Sequence, residues 1–195
     1  MKKDLFKNRY RIPSSRAPWW DYSKPATYFI TICTRNKAQL FGYIENGEMH
    51  RNQLGEFAHH CFKDIPDHFP FAEIINFVIM PDHVHGLIRI CFRPKAIMPV
   101  TNPEPELTNP VEKNEFMASI SPKRGSLASI VRSYKSAVTK FANENHLPCG
   151  WHERFHDHIV RNSGELQRIS DYISNNPGRW GRDKPNRESN ELFRS

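Results

Sequence analysis

The sequence predicts an α+β fold, an antiparallel sheet with helices packed on one face, and three observations carry that expectation. Segments 27–34, 74–80 and 83–92 are rich in β-branched and aromatic residues, the mark of strands lying on a core. Stretches 53–65 and 126–145 repeat apolar residues at spacings of three and four, as helices do. The order strand, helix, two strands, helix, helix then fits a sheet covered by helices.

Each element has a local reason. Residues 1–25 hold Lys2, Lys3, Lys7, Arg9, Arg11 and Arg16 among Trp19, Trp20, Tyr22 and Pro25 without any period, and read as a basic extended arm. Thr27 to Thr34 alternate in part and form the first strand. Asn46-Gly47 supplies the positive φ angles of a tight hairpin turn. Leu54, Phe57, Ala58, Cys61 and Ile65 make the stripe of the first helix, which Pro66 is expected to stop. Ile74–Met80 and His83–Phe92, separated by Pro81-Asp82, pair as antiparallel strands. Residues 93–123 are Pro-rich and aperiodic, a flexible insert.

The second helix carries Leu127, Ile130, Val131, Tyr134, Val138 and Phe141 on one stripe, with Arg132, Lys135 and Lys140 off it. Asn162 with Glu165 three residues later is an N-cap pair for a third helix that carries Leu166, Ile169, Tyr172 and Ile173 and ends before Pro177. A single domain is therefore expected at 26–182, interrupted by the insert at 93–123 and followed by a polar tail at 183–195.

Composition bounds the function. A chain of 195 residues suits one domain. No apolar run approaches the roughly 20 residues of a membrane-spanning helix, so a membrane protein is not expected. A net charge of +7 favours polyanionic partners, nucleic acid first. Cys33, Cys61, Cys91 and Cys149 are scattered, which argues against a disulfide framework. With a charged rather than apolar N-terminus, that points to the cytoplasm.

The most informative stretch is Met80-Pro81-Asp82-His83-Val84-His85-Gly86. On a strand His83 and His85 share one face while Val84 points to the core, so the two imidazoles could hold one divalent cation. Two surface histidines are the plain alternative. Near the C-terminal end, Tyr172 and Asn176 stand one helical turn apart. If that face covers the sheet at the histidines, Asn176 could complete a metal site and Tyr172 could reach a metal-bound group. Two imidazoles and one carbonyl oxygen leave positions for water and phosphate, which suits Mg²⁺ or Mn²⁺ rather than a closed structural zinc.

Four motifs in order carry a resemblance: Tyr28-Phe-Ile-Thr-Ile-Cys-Thr, Met-Pro-Asp-His83-Val-His85-Gly, Trp151-His-Glu-Arg154-Phe155-His-Asp-His158-Ile159-Val-Arg161-Asn162, and Asp171-Tyr172-Ile-x-x-Asn-Pro177. Together they resemble the Y1 HUH transposases of the IS200-like group, and within it the REP-associated tyrosine transposases. The resemblance implies a ferredoxin-like fold and cleavage of single-stranded DNA at imperfect hairpins of repetitive palindromes. It further implies a 5′-phosphotyrosine intermediate and a free 3′-OH. Carried over by position, His83 and His85 are metal ligands, Tyr172 is the nucleophile and Asn176 the third ligand. The wider group often has Gln at that last place, and Asn175 is the nearest competitor. A monomer located with the bacterial nucleoid is the expected form.

Tyr134 is a rival phenol, although it sits on an apolar stripe. Cys149, His152, His156 and His158 have spacing that a small zinc site could use. Arg16, Trp19, Trp20, Tyr22, Arg132, Lys135, Arg154, Arg161 and Arg179 are the candidate DNA contacts, the aromatic ones by stacking on bases and the basic ones through phosphates. Two further readings compete with strand transfer: a hairpin-DNA-binding protein on the same scaffold that no longer cuts, and a metal-dependent phosphodiesterase that uses water.

Overall fold

A computed structural model describes residues 20–91 and 125–181. Most of the basic arm, with Arg16 and Trp19, the Pro-rich insert and the polar tail lie outside the described residues. The elements are β1 (Ala26–Cys33), β2 (Gly42–Glu45), β3 (Glu48–Arg51), α1 (Gln53–Lys63), α2 (Ile65–His68), β4 (Ala72–Ile79) and β5 (His83–Ile90). After the insert come α3 (Leu127–Glu144), β6 (His156–Val160) and α4 (Ser163–Arg179). The main sheet has the order β4-β5-β1-β6, every pair antiparallel. With α1 following β1 and α3 joining β5 to β6, this is the α+β, ferredoxin-like arrangement expected.

Local chemistry sets the boundaries. Asn52, Ser126 and Asn162 cap α1, α3 and α4 by accepting from the backbone N–H three residues on. Asn46 and Gly47 turn the β2–β3 hairpin with φ of 51° and 80°. Pro66 does not merely stop the first helix, because it opens α2, where its missing N–H costs nothing. Nor does α4 end before Pro177; it runs through that residue to Arg179. The strand β6 was not foreseen, since His-Asp-His-Ile-Val is short and mostly polar.

The two faces of the sheet bury different sets of side chains. Tyr28, Ile30, Ile32, Val84 and Ile88 face α1 and α3, meeting Leu54, Ala58, Phe62, Leu127, Ile130, Tyr134 and Val138 in the main core. Gly86 makes this packing possible, because a Cβ there would stand 2.3 Å from Cζ of Phe62. Phe29 and Leu87 face the other way and pack with Ile169 and Ile173 of α4. The expected packing of all helices on one face therefore holds for α1 and α3 but not for α4. The physical reason lies in β1, whose run Tyr28-Phe29-Ile30 is apolar on both faces and calls for cover on both sides.

A bulge holds α4 in place. Between Ile74 and Asn76 the β4–β5 register shifts, so that Ile75 and Asn76 both address α4. Asn76 Nδ2 donates to the Ser170 carbonyl at 3.1 Å and to the Ser170 and Ser174 hydroxyls at 2.9 and 3.0 Å.

Candidate active site

Alternation along β5 places His83 and His85 on the face that α4 covers, with Val84 in the main core. The two rings stand 4.4 Å apart, edge to face. His85 is buried, stacked on Phe29 at 5.2 Å, and its Nδ1 lies 2.9 Å from the Thr31 hydroxyl on the neighbouring strand. Burial first and the adjacent His83 second push its pKa well below the ordinary histidine range, against the pull of a hydrogen bond to the Ile30 backbone. His85 is thus a neutral imidazole near pH 7, the form that binds metal ions. His83 is half-buried, its Nδ1 bonded to the Asp82 carboxylate and its ring stacked 6.1 Å from Trp180.

From above, α4 brings the phenol. Tyr172 Oη lies 3.5 Å from Nε2 of His85, and the Tyr172 ring meets Phe29 edge-on at 6.1 Å. Asn176 follows one turn later and Trp180 one turn after that, so Asn176 stands between the residues that touch His85 and His83. Its side chain is buried and its amide makes no hydrogen bond among the described residues. Asn175 is exposed and donates back to the Asp171 carbonyl. Two imidazoles and one amide form a donor set that fits an open, oxygen-favouring cation site. Three His, Cys, Asp or Glu side chains gathered as metal ligands do not occur among the described residues, so the stretch from Cys149 to His158 forms no zinc cluster.

The remaining candidates are spread over the molecule. Tyr134 is buried on the opposite face of the sheet, packed against Phe62 and Trp151, with burial raising its pKa well above the usual phenol value. Trp20 donates through Nε1 to the Tyr28 hydroxyl at 2.9 Å and Tyr22 stacks on Tyr28 at 5.7 Å. Both aromatics therefore extend the main core and stand away from the histidines. Lys135 Nζ donates to the His152 carbonyl at 2.8 Å and lies over Trp151, pinning α3 to the loop before β6. Arg132, Arg154, Arg161 and Arg179 are exposed. Of these, Arg179 shares the last turn of α4 with the site.

Sequence reasoning missed the partners that hold the site. Thr31 and Asp82 each contact a ring nitrogen of the pair. Glu165, in the first turn of α4, accepts from the Arg161 N–H at 2.7 Å and pairs with His158 Nε2 at 2.8 Å. Burial opposes its ionisation most strongly, but the Arg161 and His158 hydrogen bonds together outweigh that and hold the carboxyl below its usual range. The signal for Glu165 was present as the cap partner of Asn162. Its second bond, to a strand residue seven positions earlier, was not foreseeable from spacing.

No family model matches the chain. A Haemophilus influenzae protein described only as uncharacterized is 35% identical over 177 residues, 88% of this chain and 91% of that protein. A second Haemophilus influenzae protein, named a REP-associated tyrosine transposase, is 26% identical over 83% of this chain and 75% of its own length. Among solved structures, a REP-associated tyrosine transposase bound to a REP hairpin shares the fold with a TM-score of 0.53, at 20% identity over 85% of this chain and 75% of that one. Among the described residues no helix is long and apolar enough to cross a membrane. By its four ordered motifs, and by its similarity to a relative that bears the name, the chain resembles the REP-associated tyrosine transposases, and it shares their fold.

Proposed function

We propose that the protein is a metal-dependent endonuclease and strand transferase acting on single-stranded DNA beside a hairpin of repetitive palindromic sequence. The observation that carries this reading is the 3.5 Å approach of the Tyr172 hydroxyl to the buried, neutral imidazole of His85. His83, His85 and Asn176 would hold Mg²⁺ or Mn²⁺, whose role is to neutralise the phosphodiester as charge builds on it. The Tyr172 oxygen attacks phosphorus and loses its proton, the P–O3′ bond breaks, and the departing 3′ oxygen takes up a proton. A 5′-phosphotyrosine remains, which preserves the bond energy for rejoining.

The similarity to a protein named a REP-associated tyrosine transposase and the hairpin-bound structural neighbour support the choice of DNA over other phosphodiesters. Arg132, Arg154, Arg161 and Arg179, exposed on α3, around β6 and at the end of α4, would meet the phosphates. Because one chain supplies both the phenol and the imidazoles, a monomer suffices. A protein of this activity would work at the nucleoid in the bacterial cytoplasm. The test is incubation with a labelled hairpin oligonucleotide bearing a single-stranded flank, with Mn²⁺ or Mg²⁺. A denaturation-resistant protein–DNA adduct is expected, absent in Tyr172→Phe and in His85→Ala. Binding of the hairpin without an adduct would sink the catalytic reading in favour of a binding protein, and cleavage that survives Tyr172→Phe would assign the attack to water.

A further inference from the structure

We infer that Asp82 is a positioning residue that fixes the ring proton of His83 on Nδ1 and leaves Nε2 bare toward the cleft under α4. The carboxylate contacts Nδ1 of His83 directly. An ionised carboxylate only accepts, so the ring nitrogen facing it must carry the hydrogen, and in the neutral ring the other nitrogen then offers its lone pair. Thr31 cannot impose such a choice on His85, because a hydroxyl both donates and accepts. Of the two side chains that bond the imidazole pair from beside it, Asp82 alone dictates the tautomer.

The surroundings make Asp82 a rigid support. Its carbonyl accepts from both the backbone N–H and the hydroxyl of Thr34, each at 2.9 Å, and Thr34 is itself buried. The preceding Pro81 carbonyl accepts from the N–H groups of Leu40 and Phe41 at 2.8 and 3.2 Å. The turn between β4 and β5 is thereby tied to the end of β1 and the segment before β2. Asp82 and His83 side chains are 13% and 17% exposed, so water competes weakly for their bond. Trp180 stacks across the face of the His83 ring and opposes its rotation.

The consequence for metal affinity rests on the cation site proposed above, whereas the tautomer does not. Outer partners of this kind typically change metal affinity by about 10- to 100-fold when removed. The test uses the full chain without metal and reads each imidazole by long-range ¹H–¹⁵N NMR. His83 is expected as the Nδ1–H form, and His158, whose Nε2 faces Glu165, as the Nε2–H form, an internal control on folding. In Asp82→Ala the His83 proton should redistribute toward Nε2 while His158 stays unchanged. Asp82→Asn, which keeps an acceptor oxygen, should retain most of the wild-type form. Mn²⁺ titration should then show affinity reduced about 10- to 100-fold in Asp82→Ala and less in Asp82→Asn. A wild-type His83 protonated on Nε2, or a tautomer unmoved in Asp82→Ala, would overturn the inference. A tautomer shift in a protein that takes up no Mn²⁺ would uphold the orienting role and overturn the metal site instead.

Discussion

Replacing Glu165 by alanine tests how α4 is fastened. Its carboxylate is buried and accepts from the Arg161 N–H at 2.7 Å and from His158 Nε2 at 2.8 Å. Hydrogen bonds to a charged group each contribute about 1.5–3 kcal/mol, and their contributions overlap when they share one acceptor. Glu165→Ala should therefore cost about 3 kcal/mol at pH 7, close to 6–12 °C in melting temperature for a chain of this size. Urea unfolding followed by tryptophan fluorescence measures it. Glu165→Gln keeps one acceptor oxygen and should lose about half as much.

The same carboxyl gives the stability a pH dependence of known sign. Its folded pKa lies below the ordinary glutamate value, so between the two the unfolded chain holds more protons than the folded one. The contribution is present above about pH 4.3 and is lost as the pH falls through the folded value. Glu165→Gln should show a flatter acid limb than wild type. An alanine variant within about 0.5 kcal/mol of wild type would refute the reasoning. So would identical acid limbs in wild type and Glu165→Gln.

Gly86→Ala should destabilise by about 1–3 kcal/mol, because the new methyl collides with the buried Phe62 ring. Phe62→Leu in the same chain should recover part of that loss, and simple addition of the two penalties would contradict the collision. Tyr134→Phe should be neutral or stabilising by about 1 kcal/mol, since the Tyr134 hydroxyl is buried without a hydrogen-bond partner among the described residues. Adduct formation should persist in that variant, and its loss would reopen the choice of nucleophile. Asn176→Ala should weaken Mn²⁺ binding at least about tenfold whereas Asn175→Ala leaves it unchanged. Equal effects on calorimetric titration would show that the amide is misassigned.

Much of the fold and the relative placement of the site could be read from short-range pattern. A period of two put His83 and His85 on one side of β5, and a period of 3.6 put Tyr172 and Asn176 on one side of α4. Asn46-Gly47 and Asn162 with Glu165 were legible because turn and cap chemistry is confined to a few residues. The side of the sheet that α4 takes was not read correctly, although the apolar run in β1 held the clue. Contacts such as Thr31 to His85 and Thr34 to Asp82 span about fifty positions. Nothing in local spacing fixes which strand edge delivers a hydroxyl to which ring. Trp20, Tyr22 and Lys135 show the converse, since residues suited to grip DNA by type are engaged by the protein's own core and loops.

The unequal division of apolar cover between the two sides of the sheet has a mechanical outcome. The main core joins α1 and α3 to the strands, while α4 rests on the smaller cluster of Phe29, Leu87, Ile169 and Ile173, edged by Ile75, Val78, Val160 and Leu166, and is moored by Asn76 and Glu165. Elements with few buried contacts detach at lower cost than the body that carries them. Tyr172 thus sits on a smaller buried cluster than the one beneath the strand of the two imidazoles, so a change in how α4 packs leaves the main core under that strand in place.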